Sequence, residues 1–350
     1  MIEIELYRRR LLVSLVRQAE EKCEVKRSGF LTHYFYMQFL STEDRDPFAR
    51  IVDVEFLREQ IELNSGRATD ENVEFILQLF DRYNEKMKSF KERLSDEFYD
   101  VVYSDDTETI RLYQVNAELN SEMNSLNRKA LIAEEPFTHP TMKRYMRFNR
   151  SVDMKRLFLQ VYRYQTLFKI SRTTMQLSTS DRYYRFIERA FGVDVECFAS
   201  PFNRHLKLYC SAFPDVDDSV GSYFAVHNSL FDGKSRSASF DCPYQFHIID
   251  KTIDLCEDTL EKNEAVGCKN IFIFILPYWK DAKFVDRLSS SRFAKAVGVV
   301  PRDASTFELH LLERSSLLHI QPCNTFAVIL SNDHELSISE STKRKWLSLI

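Results

Sequence analysis

The chain has 350 residues, a formal net charge of −4, 44% apolar and 29% charged content. That length allows two modest domains, each able to bury a core, and the near-balanced charge means that a charged partner must be met by a local patch and not by the whole surface. Charges interrupt every apolar run of the first 20 residues and no run of about 18 apolar residues occurs, so neither a secretory signal nor a membrane partner is expected.

The seven cysteines (Cys23, Cys197, Cys210, Cys242, Cys256, Cys268 and Cys323) form no CxxC pair, and the eight histidines show no HxxxH or HExxH spacing. Buried, reduced thiols and no metal are the expectation. With 28 Phe and 16 Tyr, rings are plentiful, and most are expected to fill cores.

In chain order, residues 4–22 and 53–64 read as helices, the second stopped by Asn64-Ser65-Gly66. From Val73, the steps Leu77, Phe80, Tyr83, Met87, Phe90, Leu94 and Phe98 put one apolar stripe on a long helix that Thr69 or Asp70 can cap. Leu112, Val115, Leu119, Met123 and Leu126 continue the helical spacing. Residues 136–141 then break it with two prolines. The window that follows holds Lys143, Arg144, Arg147, Arg150, Lys155, Arg156, Arg163, Lys169 and Arg172 against one acid, Asp153, with Tyr145, Phe148, Tyr162 and Tyr164 interleaved. Basic charge among aromatics fits an RNA-binding surface. A helix face neutralised by acids from the 81–109 region fits equally well.

From residue 190 the texture changes to short apolar runs. VDVECF (193–198), 222–226 and 237–240 read as strands, 203–210 and 246–262 as helices, and IFIFIL (271–276) as a fully buried strand; 297–300, 307–312 and 325–330 add strands. The alternation predicts a doubly wound sheet with parallel strands. In such sheets ligands sit at the carboxyl ends of strands, which singles out the loop Ala199–Asn203 and the loop Asp241-Cys242-Pro243-Tyr244. The second has the order strand, [Asp/Asn]-x-Pro-aromatic, helix that amino-methyltransferases use. An exocyclic adenine amine is a poor nucleophile because its lone pair is delocalised. A side-chain oxygen and a backbone carbonyl can accept its two hydrogens and aim the nitrogen, while an aromatic ring stacks on the base. Asp-x-Pro-Tyr is also a common turn sequence. Cys242 reads as a structural thiol, and His227, His247 and His319 as packed or surface histidines. Asp215 and Asp217 fit either a cofactor ribose or a turn; Trp279 fits either a cap guanine or a core.

VECFASPFNRHLKLYCSAFPDVD (195–217) resembles a core segment of the cap-specific adenosine N6-methyltransferases known as the phosphorylated RNA polymerase II carboxy-terminal-domain-interacting factor family. SASFDCPYQF (237–246), IFIFILPYWKD (271–281), SSRF (290–293), LLHIQPCNTFAVILSND (317–333) and, upstream, LQVYRYQTLF (159–168) agree in order. The resemblance implies an α + α/β chain: an N-terminal helical domain (1–180) packed on a Rossmann-like class I methyltransferase domain (181–350). It implies S-adenosylmethionine as cofactor, capped RNA as substrate, RNA polymerase II or another protein as partner, and the nucleus, or else the cytoplasm, as location. Asp241, Cys242, Pro243 and Tyr244 become the catalytic set. Phe198, Ala199, Ser200, Pro201, Asn203 and Asp215 become the cofactor set. Lys143, Arg144, Arg147, Arg150, Phe246 and Trp279 become the RNA set. The family motif is Asn-Pro-Pro-Phe after Ser-Phe-Glu-Ala. Without a gap, those four places hold Pro243, Tyr244, Gln245 and Phe246, so the acceptor Asn becomes a proline and a binding protein without catalysis results. A two-residue slip restores Asp241-Cys242-Pro243-Tyr244 and an enzyme. Both alignments stand at this point. The only tryptophans are Trp279 and Trp346, so no N-terminal WW module of the family's kind is read.

Overall fold

The computed structural model describes residues 2–24, 54–92, 98–104, 109–115, 129–136, 139–149, 151–171, 176–309, 318–320 and 323–350. The chain divides into two compact units, with the break in the described chain between residues 171 and 176.

The first unit holds α1 (Ile2–Lys22), α2 (Val54–Ser65), α3 (Asp70–Lys91), β1 (Phe98–Ser104), β2 (Thr109–Val115), β3 (Lys129–Pro136), α4 (His139–Phe148) and α5 (Met154–Ser171). Thr69 caps α3 by accepting from the Asn72 N–H, as its sequence predicts. The helical reading does not extend through the unit. β1, β2 and β3 form an antiparallel sheet where a helix around Leu112 and Val115 was expected, and the expected stripe at Phe98 lies in β1. Val101, Ile110 and Leu112 are buried, and the step of two between Ile110 and Leu112 is a strand period. Leu119, Met123 and Leu126 lie outside the described residues. The first unit is therefore mixed and not wholly helical.

α1 packs on α3 and α5, and between α1 and α5 lies a buried ionic cluster. Glu5 pairs with both Arg8 and Arg163, all of them nearly inaccessible. Burial pushes the Glu5 carboxyl up, but the two guanidiniums outweigh it and hold it below the ordinary range. Arg9 lies 3.1 Å from the Tyr162 ring centroid and donates to Thr166 Oγ1 at 2.7 Å. Arg163, one of the nine basic residues read as a surface, thus faces inward to an acid from α1.

The second unit contains β4 (Leu177–Ser178), α6 (Asp181–Phe191), β5 (Val193–Glu196), β6 (Leu208–Tyr209), α7 (Pro214–Asp217), α8 (Tyr223–Phe231), β7 (Ser237–Asp241), α9 (Phe246–Ala265), β8 (Ile271–Pro277), α10 (Lys283–Ser290), β9 (Ala294–Val300), β10 (Thr306–Leu309), β11 (Leu318–Ile320), β12 (Thr325–Ser331) and α11 (Glu340–Leu347). Six strands make one sheet in the order β6-β5-β7-β8-β12-β9. The first four are parallel, and β12 runs antiparallel to both of its neighbours. A small sheet, β11-β10-β4, lies beside it in the same unit.

IFIFIL explains both faces of the large sheet. Along β8 the isoleucines and phenylalanines alternate. Ile273 and Ile275 pack with Tyr183, Tyr184 and Ile187 of α6 and with Trp346 of α11. On the phenylalanine side, Phe240, Phe272 and Phe274 meet Tyr223 and Phe231 of α8 at ring-centroid distances of 4.9–5.6 Å. The sheet is covered on both faces, as the unbroken apolar run requires.

Two expected elements change type. Residues 203–210, expected as a helix, form a turn and then β6, because Glu196 Oε2 accepts the N–H groups of His205 (2.8 Å) and Leu206 (3.2 Å). Residues 222–226, expected as a strand, open α8; the buried set Tyr223, His227, Leu230 and Phe231 has helical spacing that a five-residue window hides. Gly221 before it has φ 141°, and a Cβ there would stand 2.2 Å from Val226 Cγ1.

Among the described residues no helix is long and apolar enough to cross a membrane. None of the seven cysteines is in a disulfide, and no group of three His, Cys, Asp or Glu is arranged to hold a metal among the described residues.

Candidate active site

The chain leaves β5 to one side, forms β6, and returns to the other side as β7. The order reverses at that point, so the loops after β5 and β7 flank one crevice at the carboxyl ends of adjacent strands, the place where open α/β sheets bind ligands. Cys197 N donates to Ser239 O at 2.9 Å, which ties the two strand ends together.

Asp241 is the last residue of β7, paired in register with Ile275. Side chains alternate along β7, so Phe240 and Cys242 face the α8 side while Ser239 and Asp241 face the α6 side. There Asp241 meets Glu196, the last residue of β5. Burial pushes the Asp241 carboxyl up to about 8, and the Glu196 charge adds in the same direction. Burial and the Glu196 charge thus both favour the protonated carboxyl of Asp241.

Cys242 is buried, and burial pushes its thiol well above the ordinary range, so it is no nucleophile. Pro243 and Tyr244 are half-buried in the loop, and Gln245 N closes the turn on Pro243 O at 2.7 Å. Phe246 opens α9 with its side chain 52% exposed, tilted over Trp279 at a centroid distance of 4.7 Å. The half-buried Trp279 also meets Phe284, so an aromatic step stands beside the motif.

The loop after β5 is closed on itself. Ser200 N donates to Asn203 Oδ1 at 2.7 Å, Ser200 Oγ to the same oxygen at 3.0 Å, and Asn203 Nδ2 to Leu177 O at 3.1 Å. Ala199 N is taken by Cys210 O. Ser200, Pro201 and Asn203 are buried and set the loop's shape, while Phe198 is half-buried against Tyr223 at 4.8 Å. Asp215 is exposed on the four-residue α7, and Asp217 is buried there. Lys143 and Arg147 are exposed and Arg144 is half-buried on α4, in the first unit, whereas Phe246 and Trp279 belong to the second; Arg150 and His319's side chain lie outside the described residues. His227 is buried and bonded to Thr259 Oγ1 at 2.7 Å, a packed histidine.

Three neighbours escaped the sequence reading. Glu196 ends an otherwise apolar strand, and a charge in that place was the available signal. Tyr183 and Tyr184 lie in the first turn of α6, and burial pushes both phenols well above their ordinary range. Beneath Tyr184 the His205 ring stacks at 4.2 Å, with Nδ1 2.7 Å from Asp181 Oδ1 and Nε2 3.0 Å from Ser178 Oγ. That chain has the partners of a nucleophilic triad, but Ser178 is only 2% exposed, so it supports Glu196 and does not meet a substrate.

The crevice thus gathers two carboxyls and the half-buried rings of Phe198 and Tyr244, with Asp215 exposed on α7. The aromatic rings and the exposed Asp215 carboxylate complement a ligand that carries a purine and cationic groups, so these residues fit S-adenosylmethionine.

The family model described as Phosphorylated CTD interacting factor 1 WW domain matches residues 123–309. The chain is similar to the Homo sapiens protein named mRNA (2'-O-methyladenosine-N(6)-)-methyltransferase, 28% identical over 191 residues, covering 51% of this chain and 26% of that protein. The Mus musculus protein of the same name is 28% identical over 190 residues, with 51% and 26% covered. The chain matches about a quarter of the length of these relatives. With more than half of its length inside the family match, the chain belongs to the phosphorylated CTD interacting factor 1 family.

Proposed function

We propose that this chain is an S-adenosylmethionine-dependent methyltransferase of Rossmann-like class I fold that methylates N6 of the 2′-O-methyladenosine beside an RNA cap. The observation that carries the reading is the place of Asp241 at the carboxyl end of β7, beside β5 and its terminal Glu196, where burial favours its protonated form. The family's acceptor is an asparagine, whose amide offers one carbonyl acceptor and one N–H donor group. A protonated aspartic acid offers a carbonyl acceptor and an O–H donor. By holding Asp241 neutral, burial and Glu196 give it the hydrogen-bonding pattern of that asparagine. This favours the alignment that starts the motif at Asp241, and Pro243 then needs no acceptor. Four parallel strands with a switch point at β5 and β7, helices on both faces, and the relatives' names support the class and the substrate.

In this mechanism the two N6 hydrogens go to the Asp241 carbonyl oxygen and the Cys242 backbone carbonyl. Localising the nitrogen lone pair in this way offsets its delocalisation into the ring. Tyr244 stacks on the base and fixes its plane. The 198–203 loop and Asp215 hold the cofactor, which supplies a methyl on a sulfonium, already an excellent leaving group. No strong base is needed, because the methylated nitrogen releases its extra proton to water. Lys143, Arg144, Arg147, Arg150 and the Phe246–Trp279 step serve RNA in this reading. A nuclear place beside RNA polymerase II belongs to it too.

One observation favours a second reading, a methyltransferase-fold protein that binds capped RNA or a protein without chemistry: Pro243 occupies the acceptor place when no gap is allowed. The test is methyl transfer to a short capped RNA that begins with 2′-O-methyladenosine, read by mass spectrometry. The wild type and Asp241→Asn are expected to transfer, and Asp241→Ala to lose about 100-fold or more, the usual cost of one positioned hydrogen-bonding group. Transfer by Asp241→Ala at the wild-type rate refutes the assignment, and no transfer by the wild type moves the conclusion to the binding protein.

A further inference from the structure

A second charged feature of the same unit plays no part in that mechanism. Arg182, Arg185 and Arg189 project from α6, and Lys345 from α11 joins them across an open groove of 440 Å³ whose apolar lining is Phe186, Ala190 and Leu349. All four cations are exposed, and among the described residues none of them has a carboxylate partner. Lys345 Nζ lies 5.5 Å from the centroid of the half-buried Phe186 ring. At about 100° per residue, positions 182, 185, 186 and 189 share one helix face, and Glu188 is set about 60° from Arg185 and about 100° from Arg189 at its edge. In a chain of net charge −4, four cations around one groove with no carboxylate partner among the described residues suit an anion.

The groove's place narrows the choice of anion. Tyr183 and Tyr184, in the first turn of α6, reach toward Asp241 and Glu196, and Arg182 sits in that same turn on the other flank. From Arg182 to Arg189 the row runs about 10 Å along the helix away from the crevice. That length matches about three phosphates of a stacked strand at about 3.4 Å each. Arginine forks suit phosphate oxygens, and an exposed ring edge between cations suits a base.

We propose that this groove binds the phosphate backbone of a single-stranded RNA, holding the nucleotides that follow the one in the crevice. An acidic peptide would match the charge, but it would have no reason to start at the crevice rim. The inference rests on the reading of the crevice as an RNA site, and it makes the groove the determinant of a preference for long over short RNA.

The test uses the full chain and the double variant Arg185→Gln/Arg189→Gln, both exposed positions outside the crevice. Anisotropy with a labelled, uncapped 12-nucleotide RNA measures binding across a salt series, and methyl transfer to a capped dinucleotide is measured in parallel. The variant is expected to bind the 12-mer about 10-fold or more weakly. Its slope of log K against log salt should fall by about 1.4, because each phosphate that a cation no longer neutralises removes about 0.7. Dinucleotide transfer should be unchanged. Equal affinity and slope in the two proteins overturn the proposal, as does no 12-mer binding by the wild type. A polyglutamate peptide bound only by the wild type, with RNA binding equal in both, assigns the groove to an acidic protein and overturns it too. Absent dinucleotide transfer in the wild type refutes the reading of the crevice alone, because the anisotropy result does not depend on it.

Discussion

Replacing Asp241 with Asn should make the protein more stable as pH rises, although the residue sits in the crevice where chemistry is proposed. In the unfolded chain an Asp titrates near about 3.9, and in the fold burial and Glu196 raise it to about 8. The folded state therefore holds one more proton than the unfolded state between those values. Stability from this group is complete below the unfolded value and is lost as pH climbs through the folded one. At about 1.36 kcal/mol per pH unit the full interval amounts to about 6 kcal/mol. Asp241 is half-buried, so this is an upper bound. Asn carries no titration, so the difference between the two proteins isolates this one group. Urea unfolding at pH 5, 7 and 9 should show the variant gaining on the wild type, by little at pH 5 and by the full amount at pH 9. Glu196→Gln should remove the smaller part of the effect, since burial is its larger cause. A difference that is constant with pH would refute the reasoning, because Asp241 would then titrate alike in both states.

Two further predictions concern other buried charges. Burial lowers His227 to about 4, so the fold loses stability as pH falls from about 6.5 through about 4, by about 3 kcal/mol in all; His227→Gln should flatten that acid limb in a melting series. In the first unit, Glu5→Gln removes the charge that Arg8 and Arg163 share and should cost about 3 to 5 kcal/mol in urea unfolding, whereas a loss under about 1 kcal/mol would mean that water reaches the pair.

Patterning revealed the sheet because both of its faces are buried. IFIFIL and VDVECF read as strands from their apolar runs and SASF could be another, and β8, β5 and β7 lie at those places. Errors fell where a distant group overrides local spacing. Residues 203–210 have the apolar steps of a helix, but the Glu196 carboxylate takes the amide protons that would have begun it. Around Leu112 a strand and a helix give the same leading residues, and only cross-strand pairing with β1 and β3 decides between them. Arg163 counted as surface charge because nothing local shows that Glu5, 158 positions earlier, turns inward to meet it.

The proposed motif at residues 241–244 was half legible for a deeper reason. Its letters give Asp where the family has Asn, and by composition that is a lost amide. The side chain's chemistry depends on its proton, and the proton depends on Glu196 and the walls around β7, which no stretch near residue 241 encodes. In water an aspartate can only accept, and it would hold an amine by charge. Protonated, as burial favours in this crevice, it can accept and donate, as an amide does. Asn and Asp at this place are therefore interchangeable while burial, with a smaller contribution from the neighbouring carboxyl, keeps Asp241 protonated. Glu196 belongs to the motif as much as Pro243 does, although it contributes nothing to the sequence pattern. A swap of Glu196 to a cation such as Lys should ionise Asp241 at neutral pH and break the mimicry without touching any residue of DCPY. In the proposed reading the motif's chemistry thus draws on two strands whose residues lie 45 positions apart, and not on four consecutive letters alone.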